Sequence, residues 1–414
     1  MTGAQVSSRR ASWAVLIVGA VAFVALAWWL IPWHPYPGGV LVLPDERDVF
    51  APRELERMLA FSSTARWVSR AGLVVSLVVA GVLGFTSLGR RLVARLRGPW
   101  LLRVVLAVAG VTLVGWVLTL PFSVVSHHLR LRYGLSRQSW GSWVGDSLLN
   151  QAVGIVITSI ALVALFGCIR LGRRWWPVVA GGLVALLVVV GSFVYPVLIE
   201  PLFNDFEPLP RGELRSEVMA IADREGVDLD DVLVVDASRR TTSLNAYVTG
   251  FGSTRRVVLY DNLVDSQRDA AAHGAVISVV AHELAHAKHD DVLVGTVTGA
   301  AGAVAAVGML GLLLSYRRQD EYATPEAIPM LLAVFALASV LAMPVENGLS
   351  RQVETRADVD ALRATGDLES FVRLQHDLDV RSLSDPSPQA WSQWWFGSHP
   401  TSLQRIAIAH RILD

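Results

Sequence analysis

The chain has 414 residues, 53% of them hydrophobic and 17% charged, with a formal net charge of zero and a mean hydropathy of +0.45. That balance is too apolar for an ordinary soluble domain and gives a nucleic-acid partner no electrostatic support. The single cysteine, Cys168, excludes an internal disulfide and any multi-cysteine metal site.

A membrane-crossing helix needs about 20 mostly apolar residues. In chain order, the stretches 12–33, 71–88, 101–125, 149–171, 175–199, 292–316 and 325–343 qualify. The first is read as an uncleaved anchor. Its apolar run is long, and Trp28 and Trp29 stand where a signal peptide carries small residues. These tryptophans, Trp33 and the Trp175–Trp176 pair suit the headgroup boundary. Residues 53–70 read as a separate amphipathic helix ahead of the second span.

The chain divides into an N-terminal membrane region, 1–199, with five spans, and a soluble part, 200–291. A transmembrane hairpin, 292–343, and a C-terminal soluble part, 344–414, follow. Residues 200–214 form a proline-punctuated loop. Leu214, Val218, Ile221 and Ala222 then recur at helical spacing, with Gly226 as the stop. Two β-branched runs follow, 231–238 and 255–263. Gly250, Gly252 and Ser253 predict a β-hairpin between 245–249 and the second run.

The stretch "SVVAHELAHAKHD", 278–290, carries the chemistry. His282 and His286 lie four apart and share one helical face, so two imidazoles can hold one zinc ion. Glu283 then stands where a carboxylate can act as general base on water. Chance produces H-E-x-x-H often, but the apolar flank marks a buried helix, and buried polar groups need partners. His289 shares the face, yet seven residues of helix span about 10 Å and zinc–nitrogen bonds are about 2 Å, so it is not a ligand. A catalytic zinc takes three protein ligands. Glu354, in "SRQVETRADVDAL", is the third candidate, because the two-span hairpin returns the chain to the side it left. Asp358, four residues on, can orient a ligand imidazole or donate a hydrogen bond nearer the substrate.

"VVAHELAHAKHDD", the hairpin, "SRQVETRADVDAL" and "GSHPTSLQRI" occur in an order that resembles the type I CAAX prenyl proteases, as do "EPLFNDFEPL", "NAYVTGFGSTRRVVLYDNLV" and "RYGLSRQS". The resemblance runs from about residue 120 to the C-terminus. It implies a mainly α integral membrane protein of seven spans enclosing a chamber, with a gluzincin-type zinc peptidase domain. It implies one zinc per chain on His282, His286 and Glu354, Glu283 as base and Asp358 as proton donor. Asn245 and His399 would contact the substrate backbone or oxyanion. Arg405 would meet the substrate carboxylate or hold the site together. The implied substrate is a prenylated C-terminal peptide.

Read from the residues alone, "NAYVTG" offers an edge strand to an extended peptide, with Asn245 at its start, or else a turn asparagine. His399 precedes a proline at a helix entrance. Trp391, Trp394 and Trp395 form a membrane anchor or an apolar substrate lining. The competing readings are a quality-control zinc protease of the heat-shock type, a transporter and a non-catalytic membrane protein. Spans nearly free of charge oppose the transporter, and Glu283, which zinc binding does not need, opposes the non-catalytic reading. Arginine outnumbers lysine so heavily, with Lys288 the sole lysine, that a bacterial cytoplasmic membrane is expected. Arg9, Arg10, Arg90, Arg91, Arg95, Arg97, Arg173, Arg174, Arg317 and Arg318 share the side opposite the zinc motif, which the positive-inside rule makes cytoplasmic. The resemblance implies the reverse orientation.

Overall fold

The structure is a computed structural model that describes residues 3–413 except 173, 251, 253–254, 268–269 and 318. Arg173, Ser253 and Arg318 therefore lie outside the described residues.

The membrane part begins with α1 (Gly3–Leu30) and the short α2 (Glu46–Val49). Helix α3 (Pro52–Phe85) starts on Pro52, with the Glu54 carboxylate accepting from the Ala51 N–H at 3.0 Å. The amphipathic helix expected ahead of the second span is not separate. Nothing in 53–70 breaks a helix, and α3 runs unbroken for 34 residues. Then come α4 (Ser87–Ala94), α5 (Trp100–Arg132), α6 (Trp140–Leu171) and α7 (Trp176–Val194). α7 passes into a π turn at Tyr195–Ile199 and a 3₁₀ turn at Glu200–Leu202, where Pro196 and Pro201 remove amide donors.

The soluble part adds β1 (Phe206–Pro208), α8 (Glu213–Glu225), β2 (Asp231–Val235), β3 (Ala246–Thr249), β4 (Arg256–Tyr260) and α9 (Asp261–Val264). The expected hairpin, β3 antiparallel to β4, is one side of a four-stranded sheet ordered β1-β2-β4-β3. β2 pairs with β4 in parallel, and β1 forms inside the segment read as a loop, pairing Phe206 with Val235. The zinc-motif helix, α10 (Ala270–Lys288), packs beneath this sheet on α8 and α14 (Leu368–Ser382). Val218, Val257, Leu259, Val280 and Leu284 are wholly buried in the shared core.

The return hairpin is α11 (Asp291–Leu314), α12 (Gln319–Tyr322) and α13 (Ile328–Thr365), and α15 (Ala390–Phe396) and α16 (Ser402–Leu413) end the chain. α13 is one helix of 38 residues with Pro344 inside it. The expected boundary near residue 343 is thus a change of polarity along a continuous rod, and Glu354 stands on the same helix as the seventh span. Seven helices among the described residues are long and apolar enough to cross a membrane. α1 seats against α11 through glycines. A Cβ at Gly19 would collide with the Ala305 backbone, and one at Gly308 with the Leu16 backbone. Without water to drive association, such close backbone approach is how membrane helices gain contact. A cavity of 640 Å³ lies between α3 and α5, reaching His127 and Arg240.

Candidate active site

His282 and His286 face each other on α10, with their Nε2 atoms 3.2 Å apart. Glu354 reaches across from α13, with Oε2 3.3 Å from His282 Nε2 and Oε1 3.7 Å from His286 Nε2. One ligand atom from each of the three lies within 4.8 Å of the others. Two ligands of a tetrahedral zinc at about 2.05 Å stand about 3.3 Å apart, so this spacing fits that ion. The chemistry fits too. Glu354 Oε2 is buried with no hydrogen-bond partner, and two ring nitrogens point at each other, an arrangement a cation between them would satisfy.

Each histidine is backed by a carboxylate, and each carboxylate by an arginine. His282 Nδ1 is 2.9 Å from Asp358 Oδ1, and Arg405 Nε donates to Asp358 Oδ2 at 2.7 Å, its Nη2 reaching Oδ1. His286 Nδ1 is 2.9 Å from Asp291 Oδ2, and Arg356 Nη2 donates to Asp291 Oδ1. Asp358 is 0% exposed and Arg405 9%. Both oxygens of Asp358 are engaged on the side of His282 away from Glu354. That placement is the one a carboxylate takes when it orients an imidazole. The Arg405 guanidinium is turned to Asp358, as the reading that it holds the site together expects. Asp291 and Arg356 escaped the sequence reading. The one available signal was an aspartate five residues after His286. His289 Nε2 lies 2.6 Å from Asp360 Oδ2.

Glu283 opens with His286 and Glu354 onto a cleft of 270 Å³, bordered by Tyr247 and Val248 of β3. Burial raises the Glu283 carboxyl pKa above its ordinary value, while the two histidines pull it back. On His282 burial opposes charge, but Asp358 and Glu354 outweigh it and the pKa rises. β3 is an edge strand, paired with β4 alone among the described residues. Asn245 stands exposed one residue ahead of it, its carbonyl accepting from the Tyr260 N–H at 3.1 Å, and it is not among the residues lining the cleft. His399 is half exposed in the loop before α16, with Nε2 3.3 Å from Glu354 Oε2. Trp391 and Trp394 are exposed on α15 beside it.

Known proteins place this arrangement. Residues 208–412 match peptidase family M48, and residues 56–205 match the CAAX prenyl protease N-terminal region of five membrane helices. An uncharacterized metalloprotease of Bacillus subtilis, YhfN, is 28% identical over 310 residues, 72% of this chain and 71% of that one. CAAX prenyl protease 1 of Saccharomyces cerevisiae is 28% identical over 316 residues, 69% of this chain and 67% of its own. The crystal structure of S. mikatae Ste24p superposes with a TM-score of 0.68 at 19% identity, covering 100% of this chain and 99% of that one. The five-helix N-terminal match favours the prenyl-protease type over the heat-shock type. The chain belongs to peptidase family M48 and is a multi-pass membrane zinc metallopeptidase of the CAAX prenyl protease type.

Proposed function

We propose that the chain holds one zinc through His282, His286 and Glu354 and hydrolyses an extended peptide laid along β3. The carrying observation is the coincidence of three converging ligand atoms, an adjacent buried carboxylate and an unpaired strand edge on one cleft. When bound, zinc supplies Lewis acidity, drawing the pKa of water towards about 7 and polarising a carbonyl. Glu283 takes a proton from the attacking water as its oxygen bonds to the scissile carbon, and hands that proton to the leaving nitrogen as the C–N bond breaks. A single carboxyl can serve both transfers, as base in the first and as acid in the second. His399 donates to the developing oxyanion. Asp358 and Asp291 fix the ring orientation of His282 and His286. Asn245 marks where the peptide enters the strand edge. The favoured substrate is a peptide with a lipidated cysteine near its C-terminus. Support for it is the kinship to CAAX prenyl proteases and the apolar helices that flank the site.

The test pairs metal analysis with a quenched-fluorescence peptide ending in farnesyl-cysteine and three further residues, alongside its unfarnesylated twin. The parent chain and Glu283→Gln should each carry one zinc, and the variant should lose about 10²–10⁴-fold in rate. Cleavage within a few-fold of parent in Glu283→Gln would remove it as base. Equal rates on both peptides would remove the lipid preference.

A further inference from the structure

α13 carries a polar stripe at helical spacing: Asn347, Arg351, Glu354 and Asp358. The last two belong to the site. The first two have no role in it so far, and they point at a different set of atoms. Asn347 Nδ2 donates to the Trp395 carbonyl at 2.6 Å. Arg351 Nη1 donates to the Gln393 carbonyl at 3.3 Å and to the Gly397 carbonyl. The Trp395 and Gly397 carbonyls stand at the end of α15, where a helix leaves its last acceptors without intrahelical partners, while the Gln393 carbonyl also accepts from the Gly397 N–H at 3.0 Å. Gln393 then continues the chain of contacts, its Nε2 donating to the His399 carbonyl at 2.7 Å. Its side chain lies against Gly397 so closely that a Cβ there would collide with it.

We infer that Arg351 and Gln393 are positioning residues for His399, with Asn347 in support, on the reading that His399 serves the oxyanion. One face of one helix thus presents Glu354 to the metal site and, one turn earlier, grips the end of α15 from which His399 hangs. The 3.3 Å between His399 Nε2 and Glu354 Oε2 is set by this shared ruler, since the loop from Gly397 to Pro400 is short. α15 cannot drift from the other side, because Arg70 of α3 donates to Ser392 Oγ at 2.5 Å and stacks 4.5 Å from the Trp391 ring.

The experiment is a double-mutant cycle on the full chain in detergent, with the quenched farnesylated peptide as substrate. The variants are Arg351→Met, Gln393→Met, His399→Ala and the Arg351→Met/His399→Ala double. Misplacing a catalytic group by about 1 Å costs about 10²-fold, so Arg351→Met should lower kcat by about that factor with KM and zinc content unchanged. Gln393→Met should do the same if Arg351→Met fails to fold. The double variant should be no slower than His399→Ala alone, because residues acting through one group are not additive. Carbethoxylation of His399, followed by mass spectrometry, should change rate in Arg351→Met independently of turnover. Multiplying losses in the double variant, or lost zinc in both Arg351→Met and Gln393→Met, would overturn the positioning role while leaving His399 in place. A parent-like kcat in His399→Ala would instead refute the oxyanion role, and the positioning with it.

Discussion

Replacing Arg405 with methionine separates the two meanings the sequence allows for it. In the structure Arg405 is 9% exposed and Asp358 0%, joined by two hydrogen bonds. Removing the guanidinium strands a buried carboxylate, a change that costs about 3–5 kcal/mol. Asp358 must then take up a proton or shift, and His282, whose Nδ1 lies 2.9 Å away, loses its orienting partner. Losing such a partner weakens metal binding about 10–100-fold. Thermal unfolding in detergent, zinc retention against a graded chelator and peptide kinetics measure the three effects. Arg405→Met should unfold at lower temperature, release zinc at lower chelator and retain KM once zinc is saturating. Raised KM with parental zinc affinity and stability would refute the reasoning and return Arg405 to the substrate.

Asp291→Asn should repeat the zinc loss through His286, with a loss of about 10-fold or more at fixed chelator; parental retention would show that the Arg356–Asp291 pair is incidental. Cysteines placed at positions 320 and 240, singly and in a Cys168→Ser background, should label from opposite sides of the membrane with an impermeant reagent; labelling from one side would refute the α11–α13 hairpin. Burial pushes the Asp379 carboxyl up to about 6. Its unfolded value is about 3.9, so the folded chain holds the extra proton between these, and the stability it confers is present at low pH and lost as pH rises through about 6. Asp379→Asn should therefore melt higher than parent above pH 6, with the gap closing below about pH 4; a lower melting temperature at pH 8 would contradict the sign. Gly308→Leu should part α1 from α11 and lower the yield of folded protein, whereas Gly295→Leu, where nothing lies within 4 Å of an added Cβ, should not.

The spans, the α10 motif and the distant Glu354 were legible because each rests on residue type at fixed spacing, which an α-helix converts directly into geometry. The continuity of α13 was not. A switch from apolar to polar composition at Pro344 reads like a helix end, although only the surroundings of the rod change there. β1 was hidden because its proline closes the segment it pairs, and three residues give no period to detect. The Arg356–Asp291 brace joins residues 65 apart, and nothing local to either announces the other. Arg405 and Asp358 were both singled out, but their roles depended on which way a buried guanidinium turned, a tertiary fact. Arg351 stood three residues from Glu354 inside a quoted motif and still carried no signal, since its partners are backbone carbonyls that any sequence supplies.

Because the seventh span and Glu354 belong to one 38-residue helix, the peptidase centre is mechanically part of the bilayer. A rod of that length is about 57 Å long, roughly twice the hydrocarbon thickness, so it is too long to lie wholly within the lipid unless strongly tilted. A thinner or thicker membrane presses the rod to change its tilt, and because its polar half is packed on α10 and α16, that strain falls where Glu354 meets the two histidines. Pro344, inside the helix, removes one backbone hydrogen bond and softens the rod. Turnover should accordingly follow acyl-chain length in reconstituted vesicles, a dependence that a protease with its ligands on a separately tethered soluble domain would lack.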